Sequence, residues 1–311
     1  NDIELTEDWG FIIGGVTWYG IEDNDDATLI KFSSEGEIEW QKEYGGLGTD
    51  AAISFKKTLD GGYILGGYSN SIDPDGGFYL VKTDEQGEVE WESHIGGPGW
   101  QHGYSVDYTP DGGYVISGRG GNPPFAVDIA VAKCDSLGNQ LWSNIYGGPH
   151  DNDSPHRVIA LEDGNILISG GMGNGEGSYA TKLDGFLIKL NQDGEVIWEK
   201  IYNEPYTFAH TSNILELEDN SLVVTGIRYP SQTGDIQATL SKYGNNGELI
   251  WRRIYSSPNP EIDSYLYGLT PASDGGFLAY GSAYDPNFDN FQEGWLIKTD
   301  SEGYTCEEVN C

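Results

Sequence analysis

The chain has 311 residues, 37% hydrophobic and 13% aromatic, which is enough material for a sizeable core. Sixteen lysines and arginines stand against 50 aspartates and glutamates, and the resulting charge of −34 excludes a nucleic-acid backbone as a natural partner. No stretch approaches the roughly eighteen apolar residues of a membrane-spanning helix, so no membrane span is expected.

Read in chain order, the sequence returns to one unit six times. An aspartate at a turn marks each copy: Asp8, Asp60, Asp111, Asp163, Asp219 and Asp274, spaced by 52, 51, 52, 56 and 55 residues. Seven residues after each comes a glycine: Gly15, Gly67, Gly118, Gly170, Gly226 and Gly281. A lysine follows later in each unit, as Lys31, Lys82, Lys133, Lys189, Lys242 and Lys298. Five residues beyond it stands another glycine, from Gly36 to Gly303, and nine beyond it stand Trp40, Trp91, Trp142, Trp198 and Trp251. The sixth unit has Glu307 at that place.

Each unit reads as four short strands. In the third copy these are "YSVDYT", "GGYVISG", "DIAVAKC" and "QLWSNIY", with glycine turns between the first two and the last two. No helical period of useful length occurs. Four-stranded antiparallel units of about fifty residues in series predict an all-β fold, a six-bladed β-propeller forming a single domain. The blades fall at about 1–46, 47–97, 98–148, 149–204, 205–257 and 258–311. The first strand of blade one should be short, and the last strand of blade six, "YTCEEV", lacks its tryptophan, so the closing seam is expected to be the weakest interface.

On the fourth strand the tryptophan alternates with a tyrosine four places on, as in Trp40–Tyr44, Trp142–Tyr146, Trp198–Tyr202 and Trp251–Tyr255. Period-two alternation places both on one face, where they would pack against the next blade. The recurrent lysine is expected to lay its stem along the sheet with its head in water.

These residues resemble the "DGGY…G…D…LIKTD..G…W…YGG" repeats of secreted and cell-surface β-propellers of bacteria and archaea, especially Bacteroidetes. The copies at 60–97 and 111–148 match most fully, and the resemblance spans the whole chain. Kelch propellers share the repeat length and the double glycine of "ILGG" and "IIGG". The resemblance implies an extracellular or cell-surface location, and a C-terminal sorting domain following "TDSEGYTCEEVNC". The only methionine, Met172, is internal, in keeping with an exported chain whose signal peptide has been removed. Cys306 and Cys311 are near enough to close a small disulfide loop, whereas Cys134 reads as a half-buried, unreactive thiol.

Links between strands two and three, and between blades, vary strongly while the other turns stay constant, so recognition is expected at the variable end. The expected ligand-binding residues there are Trp18, Tyr19, Trp100, His102, Tyr206, His210, Arg228, Tyr229 and Tyr284. Flat rings beside polar groups suit a glycan or a protein surface; they also suit apolar filling of the channel mouth. Four histidines, His102, His150, His156 and His210, read as residues of the blade-to-blade links, without zinc-site spacing. No cofactor is called for. The acidic links offer oxygen ligands for calcium at Asp23, Asp25, Asp73 and Asp75, though not in EF-hand order. No catalytic motif stands out. The leading reading is a non-enzymatic binding or adhesion module for an extracellular glycan or protein; the alternative is a polysaccharide hydrolase or lyase with acidic catalysts in the central cavity.

Overall fold

The computed structural model describes residues 2–18, 25–71, 76–97, 99–121, 127–147, 153–173, 183–202, 210–228, 236–256, 262–284 and 292–305. Every regular element among them is a β-strand, and each repeat forms one antiparallel sheet in sequence order, so the chain is a six-bladed β-propeller. Blade three, for example, runs Trp100–Tyr108, Tyr114–Gly121, Asp128–Cys134 and Gln140–Tyr146. Five sheets have four described strands. The sixth has three, plus a single bridge between Thr299 and Thr305, because the strand expected around Glu307 lies outside the described residues, as do Cys306 and Cys311. The first strand of blade one is the short one, Asp2–Leu5. By contact density the chain divides into two compact units, Asn1–Leu167 with Leu190–Glu195, and Ile168–Lys189 with Val196–Cys311.

The marker glycines have a steric cause. In blades two, three, five and six the first strand carries a β-bulge opposite them, which brings its backbone close. A Cβ on Gly67, Gly118 or Gly281 would strike the carbonyl of Ala51, His102 or Tyr265. In blade three the bulge absorbs one residue and pairing then continues as far as Trp100 opposite Gly121. The first strand therefore begins four residues before the expected "YSVDYT". His102, His156 and His210 accordingly lie on strands, not in the links where their spacing had suggested them.

In the first unit, the core lies between sheets. Ile12, Leu29 and Tyr44 of blade one pack with Phe55, Tyr63, Leu65 and Val81 of blade two, and Ile64, Phe78 and Leu80 pack with Val106, Tyr114 and Ile116 of blade three. Blades five and six of the second unit repeat the arrangement through Val223, Leu240, Trp251, Leu266 and Phe277. Cys134 is fully buried, deeper than expected, and burial pushes its thiol up to about 12.

The fourth-strand aromatics do face the next blade, and they grip one feature of it. A Cβ on the turn glycine of the following blade would lie 2.8–3.1 Å from the indole: Gly87 against Trp40, Gly138 against Trp91, Gly194 against Trp142, Gly247 against Trp198 and Gly303 against Trp251. The hydroxyls of Tyr44, Tyr146, Tyr202 and Tyr255 donate to the carbonyls of Gly87, Gly194, Gly247 and Gly303 at 2.5–2.9 Å. In blade two, where Ile95 replaces the tyrosine, Ser93 donates to Gly138 at 2.7 Å instead. The turn glycine must be glycine twice over, since its φ of +75° to +81° favours it and the indole fills the space of a side chain.

The recurrent lysine departs from expectation in blades one to four, whereas Lys242 and Lys298 keep part of their side chains in solvent. Lys31, Lys82, Lys133 and Lys189 are buried, and their ammonium groups are held by protein oxygens. The marker aspartate is the partner in Lys31–Asp8, Lys82–Asp60, Lys133–Asp111, Lys242–Asp219 and Lys298–Asp274, at 2.6–3.3 Å. The stem packs under the first turn, so the ammonium reaches the carboxylate at its rim. Burial raises the Asp60 pKa, but hydrogen bonds from Thr58 and Lys82 outweigh it and hold the carboxyl below its ordinary value.

Two outcomes follow. Trp142→Ala should lower the unfolding free energy by about 2–3 kcal/mol, since it removes a large half-buried side chain and the indole donor to Gln192; denaturant titration measures it. Trp9 is 83% exposed and has φ +66°, in the turn position that Gly61, Gly112, Gly164 and Gly275 occupy in other repeats. Trp9→Gly should therefore stabilise the protein by about 1 kcal/mol in the same titration.

Candidate functional site

In the first unit, the variable end of blades two and three carries a short column of rings. His102 lies flat on Tyr68, centroids 3.9 Å apart and planes 2° apart, and the Trp100 ring is tilted 40° against His102 with centroids 4.3 Å apart. The strand period places Trp100 and His102 on one face of the first strand of blade three, while Tyr68 comes from the second strand of blade two. Arg119 stands directly opposite His102 in the ladder and donates through Nε to the Asp153 carbonyl at 3.2 Å. Burial, and then the Arg119 charge, hold the His102 pKa below its ordinary value. Its imidazole is thus neutral at pH 7, a flat acceptor and donor stacked on Tyr68.

Asp50, fully buried nearby in sequence at the start of blade two, accepts from Gly46 at 2.6 Å and from the Ser71 hydroxyl at 2.5 Å. Asp26 lies close enough for burial, Asp50, Glu43 and Asp25 to raise its pKa, in that order. Asp50 therefore organises the blade junction through hydrogen bonds. Of the calcium candidates only Asp25 is among the described residues; Asp23, Asp73 and Asp75 lie outside them. Among the described residues no group of three or more His, Cys, Asp or Glu side chains is placed to hold a metal ion.

Of the other expected ligand residues, Trp18 is 76% exposed, so it is no part of a core. Tyr284 is half-buried at the end of its strand, opposite Asp263 and Gln292 in the ladder. Tyr19, Tyr206 and Tyr229 lie outside the described residues, and the described backbone places His210 at the head of a strand. Tyr68 and Arg119 were not singled out by sequence. The signal was there in their register, each one residue after its marker glycine, but the repeat hides such neighbours among structural residues.

In the second unit, Arg228 ends the second strand of blade five and donates to the Gln237 side chain at 2.9 Å. It lines a cavity of about 20 Å³ together with Tyr202, Thr211, Thr225, Thr239, Ser241, Tyr243 and Arg252.

No protein-family model matches the sequence, and no curated protein matches it. Solved structures do match in fold. A polysaccharide lyase, an ulvan lyase bound to -[GlcA(1-4)Rha3S]-, aligns with a TM-score of 0.62 at 11% identity, over 97% of this chain and 80% of that one. The periplasmic gluconolactonase of Pseudomonas aeruginosa aligns at 0.56 and 11% identity, over 93% and 82%. A protein of unknown function from Bacteroides caccae aligns at 0.52 and 14% identity, over 94% and 90%. Likeness at this identity establishes the propeller fold and leaves the activity to the site.

The His102 environment makes a direct prediction. In an NMR pH titration its ring should protonate below the ordinary imidazole pKa, and Arg119→Gln should move that pKa upward. A group with a depressed folded-state pKa contributes stability above its unfolded pKa, so the column's contribution is lost as pH falls through the folded value.

Proposed function

We propose that this propeller is an exported binding module that recognises a glycan through the variable end of its blades, in the manner of a cell-surface adhesion or capture protein. The observation that carries this reading is the ring column Tyr68–His102–Trp100, half-buried and edged by Arg119. Flat rings give a sugar its stacking surface, while a neutral imidazole and a guanidinium supply hydrogen bonds to hydroxyls or carboxylates. Exposed Trp18 adds a further ring to the same class of surface. Export is supported by the resemblance to secreted repeat proteins and by the periplasmic setting of one fold neighbour.

A second reading, cleavage of an acidic polysaccharide, is favoured by one feature. His102 is held neutral beside a guanidinium, a pairing able to take a proton next to a bound carboxylate. The fold neighbour that is a polysaccharide lyase makes the chemistry compatible with a propeller.

A glycan array probed with the wild type, Trp18→Ala and Trp100→Ala distinguishes the outcomes. Binding to a glycan class that falls roughly tenfold or more in Trp100→Ala is the expected result. Loss of a stacking ring leaves a folded chain, which circular dichroism verifies. New reducing ends from an acidic polysaccharide would instead favour the enzyme, and no glycan bound at all would overturn the reading.

A further inference from the structure

Blade five departs from its sister blades at one spot, between its sheet and the fourth strand of blade four. At the position of Arg252 the other described blades carry Gln41, Glu92, Ser143 and Glu199, and at that of Ser241 they carry Ile30, Val81, Ala132, Ile188 and Ile297. On the blade-four side Gly185 leaves room, standing where blades one, two, three and five have Ala27, Phe78, Ile129 and Ala238; only blade six shares the glycine, as Gly294. The result is the cavity of about 20 Å³ described above.

Its lining is chemically one-sided. Two of the chain's five arginines, Arg228 and Arg252, reach it, and no carboxylate is among its described lining residues, although the chain carries 50 acids. Thr211, Thr225, Thr239 and Ser241 also line it, the Thr211 hydroxyl donating to the Gly170 carbonyl at 3.4 Å. Arg252 is held in place by Nε donating to Ser241 at 3.0 Å and a terminal nitrogen donating to Tyr243 at 3.1 Å. The Thr225 hydroxyl is fully buried and has no hydrogen-bond partner among the described residues. Such a group costs free energy unless something occupies the space in front of it.

We propose that this cavity is a binding site for a single small inorganic anion of halide size. Guanidinium and hydroxyl groups are donors, and an anion is an acceptor with no proton of its own, so donors and occupant match. The volume admits one water-sized occupant and is too small for a sugar ring. The site is independent of the ring column and of any glycan, and its role is to offset the two blade-five arginines where that sheet faces Gly185 and Tyr202 of blade four.

The test is thermal unfolding of the full chain at fixed ionic strength, with sodium gluconate replaced stepwise by sodium chloride. Chloride should raise the Tm saturably by about 2–4 °C, because an occupant of the folded state alone stabilises it. Arg252→Gln and Thr225→Val, made separately, should each lose that dependence. Crystals grown in sodium bromide should show an anomalous peak between Arg252 and Thr225, a readout that does not depend on the variants folding. A Tm indifferent to the anion together with no bromide peak would mean water alone fills the cavity and would overturn the proposal. So would a chloride dependence that persists undiminished in both variants.

Discussion

The rest of the molecule depends on the grip of one blade's outer strand upon the next blade's last turn. An indole covers a glycine that has no side chain, and a tyrosine hydroxyl caps that same glycine's carbonyl. A turn at a sheet's edge otherwise leaves this acceptor to water. The grip thus converts the least structured part of each blade into a contact with defined geometry, and it couples backbone conformation to side-chain packing. Because glycine is required on both counts, the turn glycine cannot change while the tryptophan covers it. That dependence explains why both persist through every described junction while the links at the other end diverge.

Within blades one to three, the buried lysine plays the complementary part. Its ammonium ties the strand-three backbone to the aspartate of the first turn, so one hairpin is fastened to its neighbour inside the sheet. The contacts are modest singly, since the carboxylates are half in solvent. Their regularity matters more, for the same lysine–aspartate pair recurs in five of the six blades.

Much of this was legible in the sequence because repetition turns one weak signal into six. Strand number, turn glycines and the facing of Trp142 and Tyr146 all follow from spacing alone. The lysine's partner did not, since burial of an ammonium depends on how closely the aspartate turn folds back over the sheet, which spacing does not encode. The extension of the blade-three strand to Trp100 was hidden by a bulge, one extra residue that shifts register without altering the letters. The site was the least legible part. Tyr68 and Arg119 sit in register with purely structural residues of sister blades, and Arg252 announces itself only by contrast with Glu92 and Glu199.

The grip has a direction. Blades one to five each offer a tryptophan at one side and a glycine turn at the other, so a single such repeat carries both a key and a lock, of matching cut. A stretch of DNA encoding one such repeat is therefore a self-sufficient cassette. Duplicated in frame, it brings a fresh key for the lock that follows it and a fresh lock for the key before it, and no neighbouring residue has to change. A protein assembled in this way can be lengthened by copying and then diversified at its loops. Residues such as Arg252 and Gly185 are what diversification looks like after the copying has stopped.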